Sequence, residues 1–238
     1  MADYQEAQRW VAWGMNDCAI GRLMSIPRGT IRDWRAGKVR AWDALDCPLC
    51  DASELDHAWY AYLLGLYLGD GCLSLHPRGV YLLRIVLDLR YPEVIKECGD
   101  AIRHVRPGSK VGRIRKIGCV EMNAYWKHWP CLFPQHGAGP KHRRRTELAR
   151  WQTEITRAHP DRLLRGLIHS DGCRALNKIN GTTYPRYMFD NRSEGIRAIF
   201  AQACDHFGVS WRYSNRWTIS ISRRDDVRKL DAVIGPKR

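Results

Sequence analysis

Two stretches decide the fold of this chain: Leu63-Leu-Gly-Leu-Tyr-Leu-Gly-Asp-Gly71 and Leu164-Arg-Gly-Leu-Ile-His-Ser-Asp-Gly172. Each is an apolar segment that carries small residues four positions apart and ends in Asp-Gly. Residues at that spacing lie on one face of a helix, where small side chains let a second backbone approach closely. The pattern therefore predicts two helices packed in parallel, with Asp70 and Asp171 at adjoining C-terminal ends.

A second pair of matching segments supports an internal repeat. Asp70 and Asp171 are 101 positions apart, and the lysines of Gly139-Pro-Lys141 and Gly235-Pro-Lys237 are 96 positions apart. Because the two periods agree within a small change of loop length, they predict two copies of one structural unit.

Both halves share one order of predicted elements, αββαββα, so the predicted fold class is α+β with two pseudo-symmetric units at 58–150 and 151–238. Enrichment in Val, Ile, Tyr and Trp supports the strands. In the first half the strands are predicted at 72–75, 80–89, 110–116 and 120–126, around a helix at 92–105. In the second half they are predicted at 173–179, 184–191, 209–213 and 217–222, around a helix at 193–207. A terminal helix is predicted to close each unit, as at 224–233.

Composition indicates the class of partner. The 238 residues carry a formal net charge of +14, with a pI near 9.6, and such an excess is typical of proteins that bind a polyanion. No segment approaches the roughly 18 apolar residues that span a bilayer, and the N-terminus does not resemble a signal peptide. We therefore expect an intracellular protein. Nine scattered cysteines do not suggest a disulfide framework.

Residues 1–45 are predicted to form a small helical domain. Helices are expected at 6–15, from Asn16 or Asp17 to Met24, and from Arg28 to Ala36, with a break at Pro27. This order is typical of a helix-turn-helix that offers its last helix to a major groove. The predicted contacts are Arg28, Thr30, Arg32 and Arg35. The alternative is a plain three-helix cap whose arginines are solvated.

Residues 46–57 are predicted to be a linker that contains a Cys-x-x-Cys pair, Cys47 and Cys50. A tetrahedral zinc site needs two more ligands. His57 is near in sequence, and His128 with Cys131 forms a distant His-x-x-Cys. The hypothesis is a zinc site at Cys47 and Cys50, and the alternative is two thiols in a turn.

The paired aspartates indicate metal chemistry. A carboxylate at a helix C-terminus faces the negative end of the helix dipole, at a cost of about 0.3–1 kcal/mol, and a second carboxylate beside it adds repulsion. Divalent cations offset both, and hard oxygen ligands suit Mg²⁺. Such ions can activate water against a phosphate. Lys141 and Lys237 could stabilise the charge that develops on the phosphate.

The two motifs resemble those of the monomeric LAGLIDADG homing endonucleases, over roughly residues 58–238. The resemblance implies that Asp70 and Asp171 bind the catalytic metals, aided by the backbone carbonyls of Gly69 and Ser170, with Lys141 and Lys237 as active-site lysines. It also implies a saddle of antiparallel sheets on a long site in double-stranded DNA. A monomer would use Mg²⁺, with Mn²⁺ able to substitute, whereas Ca²⁺ would support binding without cleavage. Leu68 and His169 stand where the family has an acid that is not the metal ligand.

The strands of such a saddle would present basic side chains to DNA. Alternation predicts that Arg186, Met188 and Asp190 share one face of their strand, and Tyr187 and Phe189 the other. Arginine can pair with guanine and asparagine with adenine, or the same side chains can contact phosphates. The predicted DNA contacts are Arg84, Arg113, Arg115, Arg174, Lys178, Arg186, Asn191, Arg192, Arg212 and Arg216.

Four functions are compatible with these features. The first is a site-specific double-strand endonuclease. The second is a DNA-binding regulator that kept the fold and lost cleavage, although loss of catalysis usually removes an acid and both are present. The third is an RNA maturase, which the sequence does not distinguish. The fourth, a small-molecule metal hydrolase, is disfavoured by the basic surface.

Overall fold

The computed structural model of the chain describes residues 2–38, 47–50, 53–235 and 237. Two compact units are present, residues 1–53 and residues 54–238. Part of the predicted helical domain and linker, residues 39–46, lies outside the described residues, as do residues 51–52, Pro236 and Arg238. None of the described helices is both long and apolar enough to cross a membrane.

The first unit contains three short helices: α1 (Ala2–Ala12), α2 (Asp17–Met24) and α3 (Arg28–Arg35). The Asn16 side chain caps α2 by accepting a hydrogen bond from the Ala19 amide at 2.9 Å. Ile20, Ile31 and Trp34 form the buried centre. Leu23 of α2 lies outside this centre, with 56% of its surface exposed.

The second unit contains two consecutive sets of elements. The first set is α4 (His57–Asp70), β1 (Gly71–His76), β2 (Val80–Asp88), α5 (Pro92–Val105), β3 (Gly112–Arg115), β4 (Cys119–Trp126) and α6 (Trp129–Leu132). The helix α7 (Arg150–Ala158) follows. The second set is α8 (Pro160–Asp171), β5 (Gly172–Ile179), β6 (Thr182–Asp190), α9 (Glu194–Phe207), β7 (Arg212–Tyr213), β8 (Thr218–Ile221) and α10 (Arg224–Ile234).

Each set forms a four-stranded antiparallel sheet with the same strand order. The orders are β1-β2-β4-β3 and β5-β6-β8-β7. The predicted α+β class and the two related units are therefore confirmed. Helices cover one face of each sheet, as the stacking of Phe189 on Phe200 of α9 at 4.3 Å illustrates.

The terminal helix of the first set is shorter than that of the second. After β4 and before Gly139 the chain forms only the four-residue α6, whereas the eleven-residue α10 precedes Gly235. The segment that follows β4 contains Pro130, Pro134, Pro140, Gly137 and Gly139. Proline removes a helical hydrogen bond and glycine raises the entropy cost of helix formation, so a long helix is disfavoured there.

Helices α4 and α8 pack side by side through their small residues. A Cβ atom at Gly65 would lie 2.7 Å from both the Leu163 carbonyl oxygen and the Leu167 amide nitrogen. A Cβ atom at Gly69 would clash with the Ser170 side chain. Because both contacts advance in the same direction along the two helices, the helices are parallel, and the predicted close approach is present.

The glycines after the two aspartates are required for space. Gly71 and Gly172 have φ values of −94° and −113°, which any residue adopts. A Cβ atom at Gly71 would lie 2.5 Å from the Tyr67 Cα atom, and one at Gly172 would lie 2.7 Å from the Ile168 Cα atom. Each strand therefore leaves its helix tight against the last turn, which fixes the aspartates at the start of the sheets.

Candidate metal and DNA-binding site

Asp70 and Asp171 are the last residues of α4 and α8 and lie at the adjoining ends of the two helices. Burial, and then the charge of the Asp171 carboxylate, raise the pKa of Asp70 to about 6. The pKa of Asp171 is also raised by burial, while a hydrogen bond from Asn191 opposes the increase. Two partly buried carboxylates that resist ionisation form a site in which a cation is favoured.

Lys141 lies against the end of α4. Its Nζ atom donates hydrogen bonds to the carbonyls of Tyr67, Leu68 (2.9 Å) and Gly69 (3.1 Å). The ammonium also lies 4.8 Å from the centre of the Tyr67 ring. Burial lowers the pKa of Lys141 to about 8, although Asp171 and Asp70 oppose this shift.

Lys237 occupies the corresponding place at the end of α8. Its Nζ atom lies 3.3 Å from the Ser170 carbonyl oxygen and 3.2 Å from the Gly172 carbonyl oxygen. The ammonium lies 5.0 Å from the centre of the Tyr91 ring. Lys237 also lines a cavity of about 200 Å³ that Asp70 borders. Both lysines of the two Gly-Pro-Lys segments therefore reach the same site.

Asn191 was predicted to read DNA, and the structure gives its side chain another partner. Its Nδ2 atom donates a hydrogen bond to Asp171 Oδ2 at 2.5 Å, and its Oδ1 atom accepts one from the Ser193 amide at 2.7 Å. The amide therefore holds the Asp171 carboxylate, and the pairing of Asn191 with adenine stays a prediction. The role follows from the end of β6 reaching the end of α8, which no local sequence pattern indicates.

The donor set fits a divalent cation. Asp70, Asp171 and the carbonyls of Gly69 and Ser170 all offer oxygen atoms, which Mg²⁺ and Ca²⁺ prefer. Within the described residues, no donor hydrogen-bonds to the Asp70 carboxylate, so its oxygens are open to a cation. The Gly69 and Ser170 carbonyls each accept a hydrogen bond from a lysine, which indicates that positive charge is stabilised at this position.

Comparison with solved structures identifies the fold. The homing endonuclease I-DmoI bound to DNA and Ca is 17% identical, covers 76% of this chain and 91% of its own, and superposes with a TM-score of 0.52. Its complex with DNA and Mn is 16% identical over 75% and 97% of the two chains, with a TM-score of 0.50. The chain has the LAGLIDADG fold.

The N-terminal LAGLIDADG domain of DUF199/WhiA is 14% identical over 76% of this chain and 83% of that domain, with a TM-score of 0.48. No family model and no curated protein matches the sequence.

In the first LAGLIDADG sheet the three predicted arginines lie on different faces. Arg84 pairs across the strands with Asn123, on the face away from the helices. Arg113 pairs with Met122 and Arg115 pairs with Val120, and the side chains of both partners are buried. The register therefore turns Arg113 and Arg115 toward the helix side and Arg84 away from it.

The second LAGLIDADG sheet has the predicted alternation along β6. Tyr187 and Phe189 are buried on the helix side, so Arg186, Met188 and Asp190 face away from the helices. Arg212 pairs with Ser220, which pairs with Met188, and this register places Arg212 on the same open face.

Two further predicted contacts of this sheet are on the helix side. Arg174 pairs with Tyr187, and its guanidinium binds Asp231 of α10 at 2.7 and 3.0 Å. The register therefore turns Arg174 toward the helices, and its contact with DNA stays a prediction. Alternation along β5 places Lys178 on the same face as Arg174, where its side chain is exposed.

Arg192 and Arg216 share an aromatic partner. Their guanidinium carbons lie 5.4 and 5.8 Å from the centre of the Trp217 ring, which is 41% exposed. Both arginines are among the predicted DNA contacts. No local sequence pattern indicates that they share Trp217 as a partner. Stacking orders the two side chains at the exposed end of the β7–β8 hairpin.

The helical unit exposes some of the side chains that are predicted to enter a major groove. Arg28 and Arg32 of α3 are exposed and Thr30 is partly exposed. Arg35 instead donates hydrogen bonds to Asp17 at 2.7 Å and to the Met15 carbonyl at 2.5 Å. Its guanidinium therefore ties α3 to the start of α2, and its groove contact stays a prediction.

The Cys-x-x-Cys and His-x-x-Cys pairs of the sequence lie in different units: Cys47 and Cys50 in the helical unit, His128 and Cys131 in the LAGLIDADG unit. The Cys50 amide donates to the Cys47 carbonyl at 3.0 Å and closes a turn. In the LAGLIDADG unit, His128 Nδ1 lies 3.8 Å from Cys131 Sγ.

Proposed function

We propose that the chain is a site-specific DNA endonuclease that cleaves both strands of a long target with divalent metal ions held between Asp70 and Asp171. The observation that carries this proposal is the meeting of two partly buried carboxylates at one point, each accompanied by a lysine of its own half. The I-DmoI complexes with DNA and Mn or Ca have the same fold and support the assignment.

The protein groups have distinct tasks in this reaction. A bound Mg²⁺ would supply a more acidic water and positive charge beside the scissile phosphate, and Mn²⁺ would substitute for it. Asp70 and Asp171 hold the ions, with the carbonyls of Gly69 and Ser170 beside them. Lys141 and Lys237 hold positive charge where a phosphate would gain negative charge. Asn191 keeps the Asp171 carboxylate in one orientation through its hydrogen bond.

Arginines on the open side of the sheets would bind the DNA. Arg84, Arg186 and Arg212 project from strands, and Arg192 and Arg216 from the strand and hairpin ends. The net charge of +14 favours binding to phosphates, which should weaken steeply as salt increases. One chain supplies both halves of the site, so we infer that the protein acts on DNA as a monomer.

Plasmid-library cleavage tests the proposal. Wild-type protein with Mg²⁺ should produce double-strand breaks at one sequence, whereas Ca²⁺ should support binding alone. Asp70→Asn and Asp171→Asn should abolish breaks and retain binding. Asp100→Asn, which removes an exposed acid paired with Lys96, is the matched control and should cut normally. Cleavage that persists in Asp171→Asn would contradict the paired-metal assignment.

The second candidate is a DNA-binding regulator without cleavage, favoured by the three-helix unit with exposed Arg28 and Arg32. Sequence-specific binding with no cleavage in any divalent metal would support it. For this unit we propose a helix-turn-helix role in which Arg28, Thr30 and Arg32 of α3 enter a major groove.

We also propose that Cys47 and Cys50 supply two ligands of a structural zinc ion. Such sites take four Cys or His ligands, of which this pair would supply two. Elemental analysis should find one zinc per wild-type chain and none after Cys47→Ser with Cys50→Ser. Wild-type protein without zinc, purified from zinc-supplemented medium, would contradict the proposal.

A further inference from the structure

Arg165 connects three helices of the LAGLIDADG unit from the middle of α8. Its guanidinium binds both carboxylate oxygens of Glu97 on α5, at 2.7 and 2.8 Å. It also donates to the carbonyls of Val233 (3.0 Å) and Ile234, the last two residues of α10. Both charged side chains are largely buried, with 23% and 16% of their surfaces exposed.

This arrangement caps the C-terminus of α10. The last carbonyls of a helix have no partner within the helix, and a guanidinium is a rigid donor that can satisfy two of them. Glu97 balances the buried positive charge, so the cap does not leave an unpaired ion. The pair thereby fixes the end of α10 to the motif helix α8.

The capped helix end leads directly to an active-site lysine. Gly235 follows α10 with φ 64° and ψ −179°, a conformation open essentially to glycine alone. A Cβ atom at Gly235 would lie 3.5 Å from the Arg165 guanidinium, so the turn lies against the Arg165 side chain. Lys237 stands two residues later, with its ammonium on the Ser170 and Gly172 carbonyls.

We propose that Arg165 and Glu97 are positioning residues for Lys237, which rests on the proposed role of Lys237 in cleavage. The capped end of α10 and the Gly235 turn restrain the backbone two residues before Lys237. The ammonium is thereby held in place before DNA binds.

Among the described residues, this arrangement is found in one half of the site. The position 101 residues before Arg165 is Leu64, whose side chain has no donor group. Lys141 is the first residue of a 3-10 turn, Lys141–Arg143, and is not preceded by a capped helix. Removal of the Arg165–Glu97 pair should therefore disturb Lys237 and leave Lys141 in place.

The variant must avoid leaving a buried charge alone. Arg165→Met together with Glu97→Met removes both ions and keeps similar volume, an exchange that proteins often tolerate. The matched control is Arg228→Met with Asp225→Met, which removes an exposed ion pair from the same helix α10. Circular dichroism and thermal unfolding identify the folded variants before the measurement.

Amine labelling of metal-free protein at one fixed pH tests the positioning without DNA cleavage. Trace reductive methylation and mass spectrometry should find Lys237 and Lys141 both slow in the wild type. In the Arg165/Glu97 double variant Lys237 should react about fivefold faster or more, as expected for a released local restraint, while Lys141 changes less than about twofold. The Arg228/Asp225 variant should match the wild type. Unchanged Lys237 labelling, or equal acceleration of both lysines, would overturn the proposal.

Strand-resolved cleavage gives the functional readout. The double variant should accumulate DNA nicked in the same strand as Lys237→Met does, and opposite to Lys141→Met. Equal slowing of both strands would overturn the link to Lys237. If wild-type protein cuts no DNA, the proposed function fails, and the labelling result still decides whether the pair positions the lysine.

Discussion

At the scale of single residues, the dominant feature is the cost of the two carboxylates. The folded chain raises the pKa of Asp70 from 3.8 to about 6, chiefly through burial and then through Asp171. Ionisation of Asp70 therefore costs more free energy in the folded protein than in the unfolded chain. A cation bound beside the carboxylate would relieve this penalty.

Asp70→Asn should stabilise the metal-free protein at pH 8. Because the folded pKa lies above the unfolded pKa, the penalty is complete above pH 6 and absent below about pH 3.8. The increase in the free energy of unfolding should be at most about 3 kcal/mol, reduced by lost attraction to Lys237 and Lys141. Urea unfolding in EDTA measures it. Mg²⁺ should stabilise the wild type and not the variant, and a variant less stable than the wild type at pH 8 would contradict the prediction.

His169 should make the protein sensitive to acid. Burial, followed by the charge of Arg165, lowers its pKa to about 4, and its Nδ1 atom lies 3.0 Å from the Tyr62 hydroxyl. Because the folded pKa lies below 6.5, its stabilising effect is complete above pH 6.5 and is lost as the pH falls toward 4. The loss should reach about 3 kcal/mol.

Unfolding free energies measured from pH 7 to pH 4 test this prediction. The decrease should be shallower in His169→Asn than in the wild type. His206→Asn, at an exposed histidine of α9, is the matched control and should follow the wild-type profile. Identical slopes in all three proteins would refute the assignment to His169.

At the scale of elements, the helix pair α4–α8 places the two aspartates. The backbones are close enough that a Cβ atom at Gly166 would clash with the Tyr62 carbonyl oxygen. This oxygen belongs to the backbone and not to the flexible end of a side chain. The helices can therefore accommodate the extra volume only by moving apart. Movement of the pair would separate Asp70 from Asp171.

Gly166→Ala should therefore destabilise the protein by about 1–3 kcal/mol or more, and it should reduce cleavage in the surviving folded protein. Gly99→Ala in α5 is the matched control. There the new methyl group would meet only the ends of the Met122 and Arg103 side chains, at 3.3 and 3.4 Å. That substitution should be neutral or stabilising by up to about 1 kcal/mol, because alanine favours helix. Equal unfolding free energies for the two variants would contradict the close-approach explanation.

At the scale of the whole molecule, two units are available for DNA. The LAGLIDADG unit carries the candidate metal site, and the helical unit carries exposed Arg28 and Arg32. Basic side chains of both units could contact DNA phosphates, which the net charge of +14 favours.

Deletion of residues 1–45 should shorten the DNase I footprint and weaken binding, since a helix in the groove would protect additional base pairs. Arg28→Ala with Arg32→Ala in the full chain should weaken binding to the same flanking sequence without altering the cleavage position. A footprint of unchanged length would make the helical unit a structural cap.

The sequence by itself determined the repeat, the α+β class and the place of both aspartates. These features are local, because helical periodicity, small residues four apart and an Asp-Gly ending are all written within a few residues of one another. The Pro- and Gly-rich segment after Trp129 also disfavours a long helix locally, although a repeat of two equal units would place one there.

Only the tertiary structure decided which partner each polar side chain takes. Asn191 binds Asp171, Arg174 binds Asp231 and Arg35 binds Asp17, and no local sequence pattern indicates these partners. Strand register placed Arg113 and Arg115 on the side opposite Arg84, since a shift of one residue reverses the face of a side chain. Partners distant in sequence are brought together by packing, and composition and spacing do not encode that proximity.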